Sequence, residues 1–267
     1  MAIDMARLQD IVREAGKLLL NAHVSEDGID RKQGDANFVS VYDVRIQRFL
    51  MEKLRVLVPD AAFFGEEDTV GNLAGRLGDG YTFVIDPIDG TTNFMFRYHH
   101  SCISVGVAWA GRLVAGCIYN PYVDVMYTAV RGQGCYLNGR RLQMEDLSVE
   151  QGIVAFGCAR YNAEDVDLLF NVVKTMFHRS LSIRSSGSAA LDLSRIASGS
   201  NAAYIELLLH PYDYAAAAVM IEEAGGCIVQ MDGSPITLDR SCSILAGTKT
   251  AVTQILETIR EETAKME

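Results

Sequence analysis

Apolar, β-rich runs at 101–109, 112–119 and 123–130 follow one another with no helical stretch between them, and another ends at 81–85 just before. Leu137-Asn138-Gly139-Arg140 comes next, and Asn-Gly is the dipeptide that fits a two-residue hairpin turn, where both central residues take positive φ. This succession predicts an antiparallel sheet. Upstream, Ile3, Leu8, Ile11, Val12, Ala15, Leu18 and Leu19 recur at helical spacing, as do Val44, Ile46, Phe49, Leu50, Leu54 and Leu57 before Pro59. Lys32-Gln33-Gly34-Asp35 reads as a turn between these two helices. Downstream, strands and helices alternate. Strands are expected at 152–156, 181–184, 202–208, 227–230 and 243–246, and helices at about 163–179, 188–198, 213–224 and 250–265. Gly225-Gly226 stops the third of those helices. The pattern predicts an α/β (α+β) protein of two closely joined halves, residues 1–147 and 148–267, with no linker or repeat.

Composition excludes several functions. A chain of 267 residues that is 49% hydrophobic can build a large core. Its 34 acidic against 24 basic residues give a formal charge of −10, which argues against nucleic acid as the default partner. No stretch approaches the ~20 apolar residues of a membrane span, and residues 1–22 lack the apolar segment of a signal peptide, so a cytoplasmic protein is expected. The six cysteines (Cys102, Cys117, Cys135, Cys158, Cys227, Cys242) show no paired spacing and read as buried or half-buried free thiols. The five histidines have no ligand spacing either, which argues against a zinc enzyme.

Carboxylates gather at the ends of predicted elements. The run Asp86-Pro87-Ile88-Asp89-Gly90-Thr91-Thr92-Asn93-Phe94 follows a buried strand directly. Two aspartates three residues apart concentrate like charge, which is costly unless a cation neutralises it. Hard oxygen donors of this kind suit Mg²⁺, which keeps positions for water and substrate phosphate. Pro87 stiffens the turn. The amides of Gly90, Thr91 and Thr92 are placed to open a short helix toward an anion. A second acidic group is Gly65-Glu66-Glu67-Asp68, which also reads as a solvated loop. Asp213, before an alanine-rich helix, and Asp43, at the start of the second helix, read equally as N-caps. Glu206, seven residues before Asp213, adds another carboxylate.

With these residues in order, the chain resembles the inositol monophosphatase family of Mg²⁺-dependent, lithium-sensitive sugar phosphatases over almost its whole length. Gly65-Glu66-Glu67, Asp86 to Phe94, Gly187-Ser188-Ala189-Ala190, Asp213 and Glu223-Ala224-Gly225-Gly226 carry the likeness. The resemblance implies a layered αβαβα sandwich, a homodimer, and two or three Mg²⁺ per site. It implies that Glu66, Asp86 and the Ile88 carbonyl serve a first metal, with Thr91 in its shell. Asp86, Asp89 and Asp213 would serve a second. Asp43 would pair with Thr91, and Glu67 would stand beside the ligands. Gly90 and Thr91 would hold phosphate through their amides, while Gly187, Ser188, Ala189 and Glu206 would contact the polyol. Arg184 would link the pocket to a subunit interface.

Two departures bear on the alcohol. Tyr212-Asp213-Tyr214-Ala215 replaces the family's usual Trp-Asp with its nearby glycine, and Cys158-Ala159-Arg160 stands where a serine is often offered to the sugar. The implied activity is hydrolysis of a myo-inositol monophosphate or similar polyol phosphate, with a metal-activated water attacking in line. The same chemistry serves fructose 1,6-bisphosphate, histidinol phosphate, a nucleotide 3′-phosphate or NADP. A regulatory binding protein on this scaffold is the reading from another class.

Overall fold

The computed structural model describes residues 3–22, 29–31, 38–67, 78–158 and 166–266. The turn read at 32–35, Asp68, Ala159-Arg160 and the start of the helix read from 163 lie outside these residues.

Helices α1 (Met5–Leu20) and α2 (Val41–Leu57) flank a short antiparallel pair, β1 (Ile29–Arg31) and β2 (Phe38–Ser40). Seven strands then form one sheet in chain order: β3 (Ala62–Gly65), β4 (Tyr81–Asp89), β5 (Cys102–Trp109), β6 (Arg112–Asn120), β7 (Val125–Val130), β8 (Gly134–Leu137) and β9 (Arg140–Leu142). Every neighbouring pair is antiparallel except β3 with β4. The hairpin expected at Asn138-Gly139 joins β8 to β9, with Asn138 at φ 47° and Gly139 at φ 80°. Helix α3 (Thr91–Met95) follows β4 at once.

The remaining elements are β10 (Ile153–Phe156), α4 (Val166–Arg179), β11 (Ser182–Arg184), α5 (Ala189–Ala197), β12 (Ala203–Leu209), α6 (Pro211–Ala224), β13 (Cys227–Val229), β14 (Cys242–Gly247) and α7 (Lys249–Met266). Their strands make a second sheet in the order β11-β10-β12-β14-β13. Helices α1 and α2 pack on one face of the first sheet. Helices α5 and α6 lie between the two sheets, and α4 and α7 cover the far face of the second. The result is the αβαβα sandwich.

The middle layer explains the alanine run. Helix α6 is buried on nearly all sides, with Tyr214 to Ile221 continuously in the core. A helix covered on both faces must be apolar all round. It approaches the first sheet closely because its contacts are alanines facing glycines. A Cβ built on Gly106 would lie 2.7 Å from Ala215 Cβ, and one on Gly116 would lie 2.8 Å from Ala216 Cα. At the C-terminal end of α6, Gly225 takes the left-handed conformation (φ 106°). There Glu223 accepts the amides of Gly132 and Gly134, each at 2.8 Å, which fastens the β7–β8 turn to the helix.

Residues on α2 show where sequence periodicity misreads the inner face. Its buried residues are Asp43, Ile46, Gln47, Leu50 and Leu54, while Val44 is exposed. The buried stripe is polar at the end that meets the strand carboxylates.

Gly116→Ala should lower the free energy of unfolding by about 2 kcal/mol, the usual cost of overpacking a tight core. Gly78→Ala, with open space around its Cα, should leave stability nearly unchanged. Guanidinium unfolding of the two variants beside the wild type checks the contrast.

Candidate metal and phosphate site

Asp86 and Asp89 reach the same side through a break in the sheet register. In a regular strand, residues three apart point to opposite faces. Here Asp86 pairs with Ser104 and Asp89 with Cys102, so three steps on β4 oppose two on β5. The extra residue is a β-bulge, which re-aims side chains and tolerates a proline that cannot donate to the ladder. Pro87 and Ile88 occupy it. The strand therefore runs through the motif to Asp89, four residues beyond the run read from sequence.

Carboxylates from three other elements converge on it. Ligand oxygens of Asp86, Asp89 and Asp213 lie within 4.8 Å of one another, and so do those of Asp43, Glu66 and Glu67. Asp213 sits at the third position of α6, where its Oδ2 accepts the His210 amide at 2.7 Å. Asp43 is likewise inside its helix, fully buried, and accepts the Thr91 hydroxyl at 3.4 Å. Neither is an N-cap. Glu66 follows β3, its amide bonded to Ile85 O at 3.0 Å. The Glu67 amide donates to Gln47 Oε1 at 2.9 Å.

The bulge is held from within. Ile88 N donates to Asp86 Oδ1 at 3.0 Å, and Thr91 Oγ1 lies 3.1 Å from Ile88 O. Gly90, at φ 85°, turns the chain into the five-residue helix α3. A Cβ there would meet Gly187 O and His100 O, both at 3.1 Å.

Asp89 is held from the other side by α5. It accepts the amides of Ala189 (3.1 Å) and Ala190 (3.2 Å), the Ser188 hydroxyl, and the Cys102 thiol at 3.5 Å. A carboxylate at a helix N-terminus is favoured by the free amides and the helix dipole. Ser188 is thus buried against Asp89, with Gly187 exposed beside it at φ 79°.

Glu206 is buried on β12 and accepts the Tyr204 hydroxyl. A Cβ on Gly157 would overlap this pair, so the glycine leaves room for them. Cys158 follows and is exposed, unlike the buried or half-buried thiol expected. Arg184 is also exposed and donates to Ile183 O at 2.8 Å. Tyr212 stacks between Phe64 and His210, with ring centroids 6.0 and 5.0 Å away.

Burial dominates the electrostatics. It raises the pKa of Asp86 well above the usual carboxylate range, reinforced by Glu66, Asp89, Asp213 and Asp43. Asp213 is raised for the same reason, with Asp89 and Glu66 adding to burial. Burial lifts Asp89 to about 6, opposed by the bonds from Ser188, Cys102 and Ala190. It lifts Glu206 to about 7, opposed by Tyr204. Several acidic groups crowded out of water make a poor anion cluster and a good cation site. Their donors are all hard oxygens, which fits a divalent cation such as Mg²⁺.

Gln47, Ser186, Asp192 and Tyr204 join the site with no place in the sequence motifs, while Asn93 and Cys102 are visible in the sequence without their contacts. Gln47 had a signal, because it stands one turn after Asp43 on the same helix face.

The fold is a layered αβαβα sandwich with, among the described residues, two groups of acidic side chains that could hold a cation. The sequence profile of the inositol monophosphatase family matches residues 4–264, and the chain belongs to that family. It is 30% identical to human inositol monophosphatase 1 over 254 residues, covering 94% of this chain and 91% of that protein. It is 32% identical to the Nus factor SuhB of Escherichia coli K12 over 252 residues, covering 94% and 93%. The crystal structure of the extragenic suppressor protein suhB from Bartonella henselae superposes with a TM-score of 0.87 at 27% identity, covering 97% of this chain and 98% of that one.

Because burial raises Glu206 above its unfolded value of 4.5 to about 7, its contribution to stability is complete below pH 4.5 and lost as the pH rises through 7. Glu206→Gln should flatten that part of the pH–stability curve and raise stability at pH 8, by up to ~3 kcal/mol for a shift of this size. Denaturant unfolding of metal-free protein from pH 4.5 to 8 reads the difference.

Proposed function

We propose that this chain is a Mg²⁺-dependent phosphomonoesterase acting on a myo-inositol monophosphate or a similar polyol phosphate. The observation that carries the reading is the convergence of Asp43, Glu66, Asp86, Asp89 and Asp213 from four elements around one strand bulge. Three of these carboxylates are buried and two half-buried, a concentration of like charge that is costly unless a cation neutralises it.

In this reading Asp86, Asp89 and Asp213 hold one cation, and Glu66, Asp86 and the Ile88 carbonyl another, with a total of two or three Mg²⁺ per site. Such ions supply acidification of water and neutralisation of phosphoryl charge. The protein contributes the rest. Glu66 would orient the attacking water, and the Thr91 hydroxyl would take that water's proton while giving its own to Asp43, 3.4 Å away. Gly90 and Thr91 present amides to the phosphate. Glu206 and the Gly187–Ala189 segment face the alcohol, with the exposed Cys158 at its margin. Glu67 steadies the acidic edge of the site, and Arg184 lies toward a homodimer contact. Six unpaired thiols fit a reducing compartment such as the cytoplasm. Among the described residues no helix is long and apolar enough to cross a membrane.

A second reading is a regulatory role alongside catalysis, favoured by the likeness to a protein named as a Nus factor. Catalysis and regulation separate in the assay, because only catalysis releases phosphate.

Phosphate release from a panel of polyol, sugar and nucleotide phosphates should require Mg²⁺ and cease in EDTA, with Li⁺ inhibiting. Full turnover in EDTA would overturn the reading. Asp89→Asn should lower kcat at least ~100-fold, the scale for losing one charge-stabilising group, with the circular dichroism spectrum unchanged. Near-normal Mg²⁺-dependent turnover by that variant would remove Asp89 from the site.

A further inference from the structure

Asn93 lies in the central motif, yet nothing in the chemistry above uses it. Its side-chain nitrogen donates to two backbone carbonyls, His100 O at 2.8 Å and Ser186 O at 2.9 Å. Both acceptors are carbonyls, so only the amide nitrogen can face them and the orientation of the group is fixed. The second bond spans 93 residues of chain, from α3 beside the first sheet to the loop before α5 in the middle layer.

That loop is the one that grips Asp89. Ser186 is fastened a second time, through its hydroxyl, to Asp192 Oδ2 at 2.7 Å, and Asp192 is buried and bonded to Arg195 at 3.1 Å. Gly187 follows in the left-handed conformation, and a Cβ on it would stand 3.1 Å from the Asn93 amide. The next three residues supply the Ser188 hydroxyl and the Ala189 and Ala190 amides, all on Asp89. The turns at Gly90 and Gly187 also touch, since a Cβ on Gly90 would lie 3.1 Å from Gly187 O and 3.3 Å from Ser188 Cβ.

We infer that Asn93 is a positioning residue: it staples the Ser186–Ser188 turn to the Asp89–Thr91 turn and thereby sets the donors that aim Asp89 at its cation. The inference rests on the reading of Asp89 as a metal ligand. It makes Asn93 act on metal affinity through a chain of contacts, without touching metal, phosphate or alcohol. A carboxylate in its place has the same shape but turns an oxygen toward two carbonyls, so attraction becomes repulsion at unchanged volume.

The test is calorimetric titration of metal-stripped protein with Mg²⁺, for wild type, Asn93→Asp and Asn93→Ala, with thermal unfolding in EDTA as the measure of the fold. A Mg²⁺ step should loosen at least tenfold in Asn93→Asp and less in Asn93→Ala, with the folded state retained in EDTA. Ser188→Ala should loosen the same step. The double variant with Asn93→Ala should fall short of the sum of the two effects, because both act through one turn. An Asn93→Ala or Asn93→Asp protein that is folded and binds Mg²⁺ within twofold of wild type overturns the staple while leaving the metal reading intact. A wild-type protein that takes up no Mg²⁺ overturns the metal reading, and the staple with it.

Discussion

Mutual repulsion among the buried carboxylates is the constraint that the surrounding structure serves. Asp43, Asp86 and Asp89 are each at most 6% exposed, and Asp86 feels Glu66, Asp89, Asp213 and Asp43 together. A chain left to minimise its own energy would splay these groups into water. They stay because each belongs to an element held on both sides: β4 paired with β3 and β5 in the first sheet, α2 against it, and α6 between the sheets. Backbone and side-chain donors relieve part of the burden, four of them on Asp89.

The order of the elements was legible because each carries its own periodicity. The antiparallel run, the Asn138-Gly139 hairpin and the helix stop at Gly225 all appear where composition and turn chemistry put them. Strand β3 was not seen, since Ala62–Gly65 is too short for alternation to register and was overshadowed by the acidic residues after it. The motif itself was read as a turn after Ile85, because Asp-Pro ordinarily ends a strand. Its continuation as a bulge depends on the partner strand β5, which local sequence does not contain.

The candidate site was legible in its carboxylates and opaque in its supports. Asp86 and Asp89 announce themselves by spacing. Asp43 and Asp213 stand near helix starts, where a cap explains them locally, and only the contact of Asp43 with Thr91 and the approach of Asp213 to Asp86 and Asp89 show more than that. Asn93 joins Ser186 across 93 residues of chain, so no window of sequence displays their relation. Cys158 is exposed although it follows an apolar run, because it lies past the end of β10 at Phe156.

Helix α6 gives the last of these features a wider meaning. It is 14 residues long, or about 20 Å at the rise of an α-helix. Asp213 is near one end, and Glu223, holding the Gly132 and Gly134 amides, is near the other. Alanine against glycine leaves it no slack to tilt between the sheets. A helix packed this closely on both faces is a short, direct link between its two ends. The β7–β8 turn, remote from the carboxylates, is therefore mechanically part of their mounting.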